Sequence, residues 1–180
     1  DAALGIAPDF GALSEYASSL GLEEKPPKWD AGLLLEPSGY GRLEAGCAHV
    51  IADVGPIGPD YLPGHAHADT LSFELSVGHN RVIVNSGIDR YEAGPARLLQ
   101  RSAAAHSTIE VDGADSSEVW SSFRVARRAR PIQRELKTDS DKVRLTCGHD
   151  GYRRLPGKVE HFRTWELSDG SLRVSDRLSG

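Results

Sequence analysis

Gly64-His65-Ala66-His67-Ala68-Asp69 gathers two imidazoles and a carboxylate just before an alternating run from Leu71 to Val77. Near the start of a strand, side chains at i and i+2 point the same way, so His65 and His67 can serve one site. The same candidate cluster takes in Asn85, at the end of the strand expected to return beside that run, then Tyr91, and His106 at the entry of a later strand. Two or three imidazoles with an oxygen ligand suit Zn²⁺, which keeps an open fourth position when catalytic. The competing reading is that one or two of these histidines simply hydrogen-bond loop backbone.

Unrelated metal families share His-x-His. The metallo-β-lactamase-like pattern His-x-His-x-Asp-His is followed through Asp69, but Thr70 stands where the last histidine belongs, and alternating βα segments are missing. Cupins place a glutamate shortly after the pair, whereas Glu74 falls inside a clean strand. Both fit worse.

The elements that must position these residues are mostly strands. Leu71, Phe73, Leu75 and Val77 face one way and Ser72, Glu74 and Ser76 the other, and Gly78-His79-Asn80 turns the chain into Arg81–Asn85. Upstream, Leu33–Glu36 and the stretch around Leu43 flank the turn Pro37-Ser38-Gly39, and Cys47–Val54 alternates. Downstream, Thr108–Val111, Phe123–Leu136, Val143–Cys147, Lys158–Leu167 and Leu172–Leu178 read as strands, the last two joined by Asp169-Gly170. A long connection from Ser86 to Ser107 holds a short helix near Gly94–Arg101. Only Asp9–Leu20 has helical periodicity, with Asp9 as N-cap and Gly21 as stop. The sum is an all-β antiparallel sandwich with a short N-terminal helical lead-in.

Composition bounds the rest. The 180 residues, 39% apolar and 26% charged, suit one soluble domain with a core. A net charge of -5 speaks against nucleic acid as a partner, and no apolar run spans a membrane. Methionine is absent even from position 1, so the chain is expected to be part of a longer one. Eight arginines face five acids between Arg90 and Arg134. A solvated surface is the plain reading of that excess and an anion-binding wall the sharper one. Cys47 and Cys147 are expected to be free, buried thiols.

Several separated motifs resemble the heparinase II/III-like polysaccharide lyases. They are Pro63–Asp69, Ser72-Phe73-Glu74-Leu75, Val82–Gly87 with Tyr91, Arg101–Thr108 leading to Val111-Asp112-Gly113, and Val119–Arg124. The resemblance implies an N-terminal α/α toroid and a C-terminal antiparallel sandwich with the substrate cleft between them. Residues 1–28 would be a remnant of the helical domain and its linker, and 29–180 the sandwich, truncated at its C-terminus. It also implies a zinc ion on His67, residue 85 and His106. Asn85 departs from the family's aspartate, which weakens the expected affinity, and Ser107 replaces the usual asparagine. The implied chemistry is β-elimination at a uronic acid, with His65 and Tyr91 at the cleft and further catalytic residues on the toroid. This chain alone is therefore expected to be inactive.

Arg97 and Arg101 are candidates to meet substrate carboxylates, or to pair with Glu92. Trp120 and Phe123 are expected to pack between sheets, with stacking on a sugar ring as the alternative, and His49, His79, His149 and His161 to occupy surface or strand positions. The partner called for is an acidic polysaccharide such as a glycosaminoglycan or alginate, with homodimerisation open. Periplasmic or secreted location follows from such substrates, with the cytoplasm as alternative. The rival function is a non-catalytic, metal-stabilised β-module that binds acidic glycan or a neighbouring domain.

Overall fold

Period-two alternation makes this chain fold as sheets, because each strand then offers one apolar face. A computed structural model describes residues 8–22 and 30–180 of the protein. The expected linker at 23–28, and the start of the sandwich at Trp29, lie outside the described residues. The chain divides into two units, Asp1–Asp30 and Ala31–Gly180.

In the first unit α1 spans Phe10–Ser19. Asp9 caps it, Oδ1 accepting from the Ala12 N–H at 2.8 Å. Gly21 follows in the left-handed region, where a glycine meets no steric penalty. Phe10, Leu13, Tyr16 and Leu20 are all more than half exposed.

In the second unit, β1 (Gly32–Leu35), β2 (Tyr40–Ala45), β3 (Ala48–Asp53), β4 (Phe73–Val77) and β5 (Asn80–Ile83) form one antiparallel sheet in sequential order. After α2 (Pro95–Arg101) comes a ribbon of β6 (Val119–Trp120) and β7 (Arg124–Val125). The second sheet holds β8 (Pro131–Thr138), β9 (Lys142–His149), β10 (Glu160–Ser168) and β11 (Ser171–Ser179), ordered β11-β10-β9-β8. The architecture is the all-β antiparallel sandwich with a short N-terminal helix that the patterning predicts.

Leu43, Val50 and Phe73 from one sheet meet Val143, Leu145, Trp165 and Leu167 from the other in a single core. Each such buried side chain contributes about 1.5–3 kcal/mol. Gly41 is required where the sheets come close, since a Cβ there would run into the Leu145 side chain. The inward register of β10 reads His161, Arg163, Trp165, Leu167, and that of β9 Val143, Leu145, Cys147, His149, all at most 5% exposed. One end of the sandwich is thus apolar and the other polar, and the polar end carries the site.

Departures from the expected elements have local causes. Phe123–Leu136 breaks into β7 and β8 because the Ser117 hydroxyl takes the Ala129 N–H (2.8 Å) and the Asp150 carboxylate takes that of Arg130 (2.8 Å). Thr108–Val111 is not a strand; Val111 makes one isolated bridge to Ala114. β4 starts at Phe73 rather than Leu71, whose φ of 67° is left-handed. Trp120 and Phe123 lie outside the core, each 49% exposed. Both cysteines are free as expected, but Cys47 is exposed in the turn between β2 and β3 while Cys147 is buried. Among the described residues no helix is long and apolar enough to cross a membrane.

Candidate metal centre

The segment 63–72 forms no strand; it folds as an irregular loop held from behind. Arg101, at the end of α2, is fully buried and donates to three carbonyls: Ala66 (2.9 Å), Ser121 (2.8 Å) and Arg124 (3.2 Å). Its own carbonyl accepts from the Ala68 N–H at 2.8 Å. Arg101, expected to meet a glycan carboxylate, here clamps the loop, its guanidinium enclosed and bonded to these carbonyls.

The loop sends its two histidines in different directions, since an irregular backbone lacks the two-residue repeat of a strand. His67 is buried, and its Nδ1 lies 3.2 Å from Nε2 of His106. His65 is exposed and meets Tyr91 edge-on, ring centroids 5.8 Å apart. Tyr91 in turn stacks on Phe123 at 6.0 Å. Arg97 lies under this pair, its guanidinium carbon 5.3 Å from the Tyr91 ring and 5.9 Å from that of Phe123. It is fully buried and its Nε donates to the Ser122 carbonyl at 3.3 Å.

His67, Asp69 and His106 form a cluster that can hold a metal ion, one ligand atom from each lying within 4.8 Å of the others. Asp69 is the member that sequence reading left out, although it stands in the same motif. Asn85 lines the same cleft, of about 310 Å³, with Tyr40, Asp53, Asp69, Glu74 and His106. Its Oδ1 accepts from the Gly87 N–H at 2.8 Å. A groove of about 370 Å³ on the outward face of the second sheet carries charges that pair among themselves, Arg144 with Glu166 and Lys137 with Glu135.

Electrostatics suit a cation. Burial, then His106, Arg97 and Arg101, push His67 down to about 3. Burial also lowers His106, against the Gln100 backbone, which acts in the opposite direction. Both imidazoles are therefore neutral at pH 7, the form that ligates metals. Burial lifts Asp69 to about 6, and burial with the neighbouring Asp69 charge lifts Asp53 to about 8. Two carboxylates that resist ionising beside two neutral imidazoles make a donor set that a divalent ion would complete. The 3.2 Å nitrogen separation is what two ligands of one tetrahedral ion require, since bonds of about 2.0–2.1 Å place neighbouring ligand atoms about 3.3 Å apart.

Two antiparallel sheets with an imidazole–carboxylate cluster at their polar end define the class, the C-terminal sandwich of heparinase-type proteins. Residues 31–180 match the family "Heparinase II/III-like, C-terminal", and the chain belongs to that family. Its fold is similar to that of the heparan sulfate lyase HepC from Pedobacter heparinus, with a TM-score of 0.67 at 20% identity over 92% of this chain and 24% of that one. A heparinase III structure gives 0.63 at 18% identity, with the same coverage of 92% and 24%. In sequence the chain is 32% identical over 153 residues to FtsZ-localized protein C of Caulobacter vibrioides, covering 79% of this chain and 26% of that protein. The chain thus spans about a quarter of the length of these relatives.

Proposed function

We propose that this chain is the sandwich part of a polysaccharide lyase that cleaves uronate-containing glycans by β-elimination. The observation that carries this reading is the meeting, at one end of the fold, of a buried cation-fitted cluster and an exposed His65–Tyr91 pair. In such a reaction a base removes the weakly acidic proton beside the carboxylate, and an acid assists the 4-linked leaving sugar. His65 is solvent-facing and able to exchange that proton, while Tyr91, braced by Phe123, offers a phenol at the same edge. Negative charge developing on the carboxylate needs stabilisation, which a bound Zn²⁺ would supply as a Lewis acid. His67 and His106 would hold it, with Asp69 as the carboxylate in place of residue 85. Zinc, an acidic glycan such as a glycosaminoglycan or alginate, and a helical domain bearing further catalytic groups all belong to this reading. So does a periplasmic or secreted location.

A second reading is favoured by a separate observation. The curated relative at 32% identity is named for its localisation with FtsZ, and Asn85 leaves the cluster one acid short of the family pattern. The chain would then be a metal-stabilised, non-catalytic module binding glycan or a neighbouring domain. Incubating the complete protein with heparan sulfate, hyaluronan or alginate separates the two. Unsaturated uronate absorbing in the ultraviolet, and lost in His65→Ala, supports the lyase; its absence on every uronate polymer sinks that reading.

A further inference from the structure

Outside the cluster, the most elaborate polar arrangement among the described residues is buried at the same end of the sandwich. Arg163, on the inward face of β10 and 5% exposed, donates through Nε and Nη2 to both carboxylate oxygens of Asp176, at 2.7 and 2.9 Å. The two residues are direct cross-strand partners on β10 and β11. The remaining nitrogen, Nη1, donates to two carbonyls, those of Leu71 (2.9 Å) and Ser107.

Those carbonyls belong to different loops. Leu71 comes two residues after Asp69, and Ser107 directly follows His106. One guanidinium therefore ties together the backbones that deliver His67 and Asp69 on one side and His106 on the other. Leu71 also has a φ of 67°, a conformation a branched residue keeps only when its surroundings impose it. Its N–H donates to the Asp53 carbonyl at 2.9 Å while its carbonyl is held by Arg163, so the strained residue is fixed from both ends.

Asp176 is itself aimed from behind. The Gly151 N–H can only donate, so His149 Nδ1, 3.1 Å away, is the acceptor and the His149 proton sits on Nε2. That proton goes to His161 Nδ1 at 3.2 Å, and the His161 Nε2–H then goes to Asp176 at 2.6 Å. Each member of this relay is satisfied, and a fully satisfied buried network holds one geometry.

We propose that Arg163 is a positioning residue for the cation site: by bridging Leu71 and Ser107 it sets the separation between the His67–Asp69 segment and His106. The inference rests on reading His67, Asp69 and His106 as a cation site. Lysine keeps the charge but lacks the planar fork, and so cannot hold both Asp176 oxygens and both carbonyls. Removing an outer partner that orients metal ligands weakens binding by about 10–100-fold.

The test is zinc titration of the 180-residue chain against a chromophoric chelator, below the melting temperature of every variant compared. The set is the parent, Arg163→Lys, Asp176→Asn, and Arg144→Lys as an outward-facing control on the same sheet. The expected result is one zinc in the parent and in Arg144→Lys, with about 10–100-fold weaker binding in whichever of Arg163→Lys and Asp176→Asn remains folded. Equal affinity in those variants and the parent overturns the proposal. If the parent itself takes no zinc, the cation reading falls, and amide exchange in Arg163→Lys then decides the positioning role. Faster exchange confined to Ser72, Phe73 and the residues after His106 supports it. Unchanged exchange, or a rise spread evenly through both sheets, overturns it.

Discussion

His67 Nδ1 and His106 Nε2 lie 3.2 Å apart although 39 residues separate them in the chain. Their rings are tilted by 47° with centroids 5.2 Å apart, so the nitrogens approach edge to edge. Both rings are neutral, and between them they offer either one hydrogen bond or two ligands to one ion.

The ligand reading makes a prediction about which oxygen completes the set. Asp69 clusters with the two imidazoles, whereas the Asn85 Oδ1 is engaged by the Gly87 N–H. Asp69→Asn and His67→Ala are each expected to abolish stoichiometric zinc or weaken it by more than about 100-fold, and Asn85→Ala to leave it unchanged. Isothermal titration with zinc checks this. Loss of zinc in Asn85→Ala with retention in Asp69→Asn would return the carboxylate role to position 85.

The half-buried Asp53 gives a stability prediction. Burial and Asp69 lift its carboxyl to about 8, above the 3.8 of an unfolded aspartate. The folded state then keeps a proton that the unfolded state has released, so this group opposes folding increasingly as pH rises from 3.8 towards 8. Asp53→Asn retains the acceptor that Gly55 N–H uses at 2.9 Å while removing the charge. Metal-free Asp53→Asn should be more stable than the parent at pH 8 by several kcal/mol, about 1.4 kcal/mol for each pH unit above 3.8, and equal to it near pH 4. Urea denaturation at the two pH values measures the difference.

How far the fold could be read from sequence depended on where its pattern was local. Val143-Leu145-Cys147 and the Asp169-Gly170 turn are written in adjacent residues, and β9, β10 and β11 appear where they indicate. The break at 126–130 was not legible, because Ser117 and Asp150, distant in sequence, take its backbone N–H groups. The site divides similarly. His65, His67 and His106 stand out by type and spacing, but the opposite directions of the first two come from a loop whose shape Arg101 and Arg163 impose. His149 and His161 occupy inward strand positions, the one signal that could have paired them, and their contact depends on the β9–β10 register.

That histidine pair carries a pH prediction. Burial, then His161, Arg154 and Arg163, depress His149 to about 3 from an unfolded value of 6.5. Above pH 6.5 both states are neutral there, and as pH falls from 6.5 towards 3 the unfolded state takes up a proton that the folded state refuses. Stability from this group is therefore lost on the acid side, by up to about 1.4 kcal/mol per pH unit. His149→Asn, which can still accept from Gly151, should flatten the fall between pH 6 and pH 4 by about one proton's worth. Thermal melts in metal-free buffer across that range test it; an unchanged slope would mean that His149 titrates normally.

The clamp at Arg101 separates structure from recognition. Three backbone carbonyls accept from its guanidinium, and that of Ala66 belongs to a buried residue. Arg101→Ala leaves the buried Ala66 carbonyl unpaired and should destabilise the fold by about 1–3 kcal/mol, Arg101→Lys by less. A substrate-binding arginine would behave differently, raising KM of the complete protein with stability unchanged. Guanidinium denaturation of the chain, set beside glycan kinetics of the complete protein, distinguishes them. A loss confined to stability assigns Arg101 to the scaffold of the loop that presents His65 and His67, and a loss confined to KM returns it to the substrate.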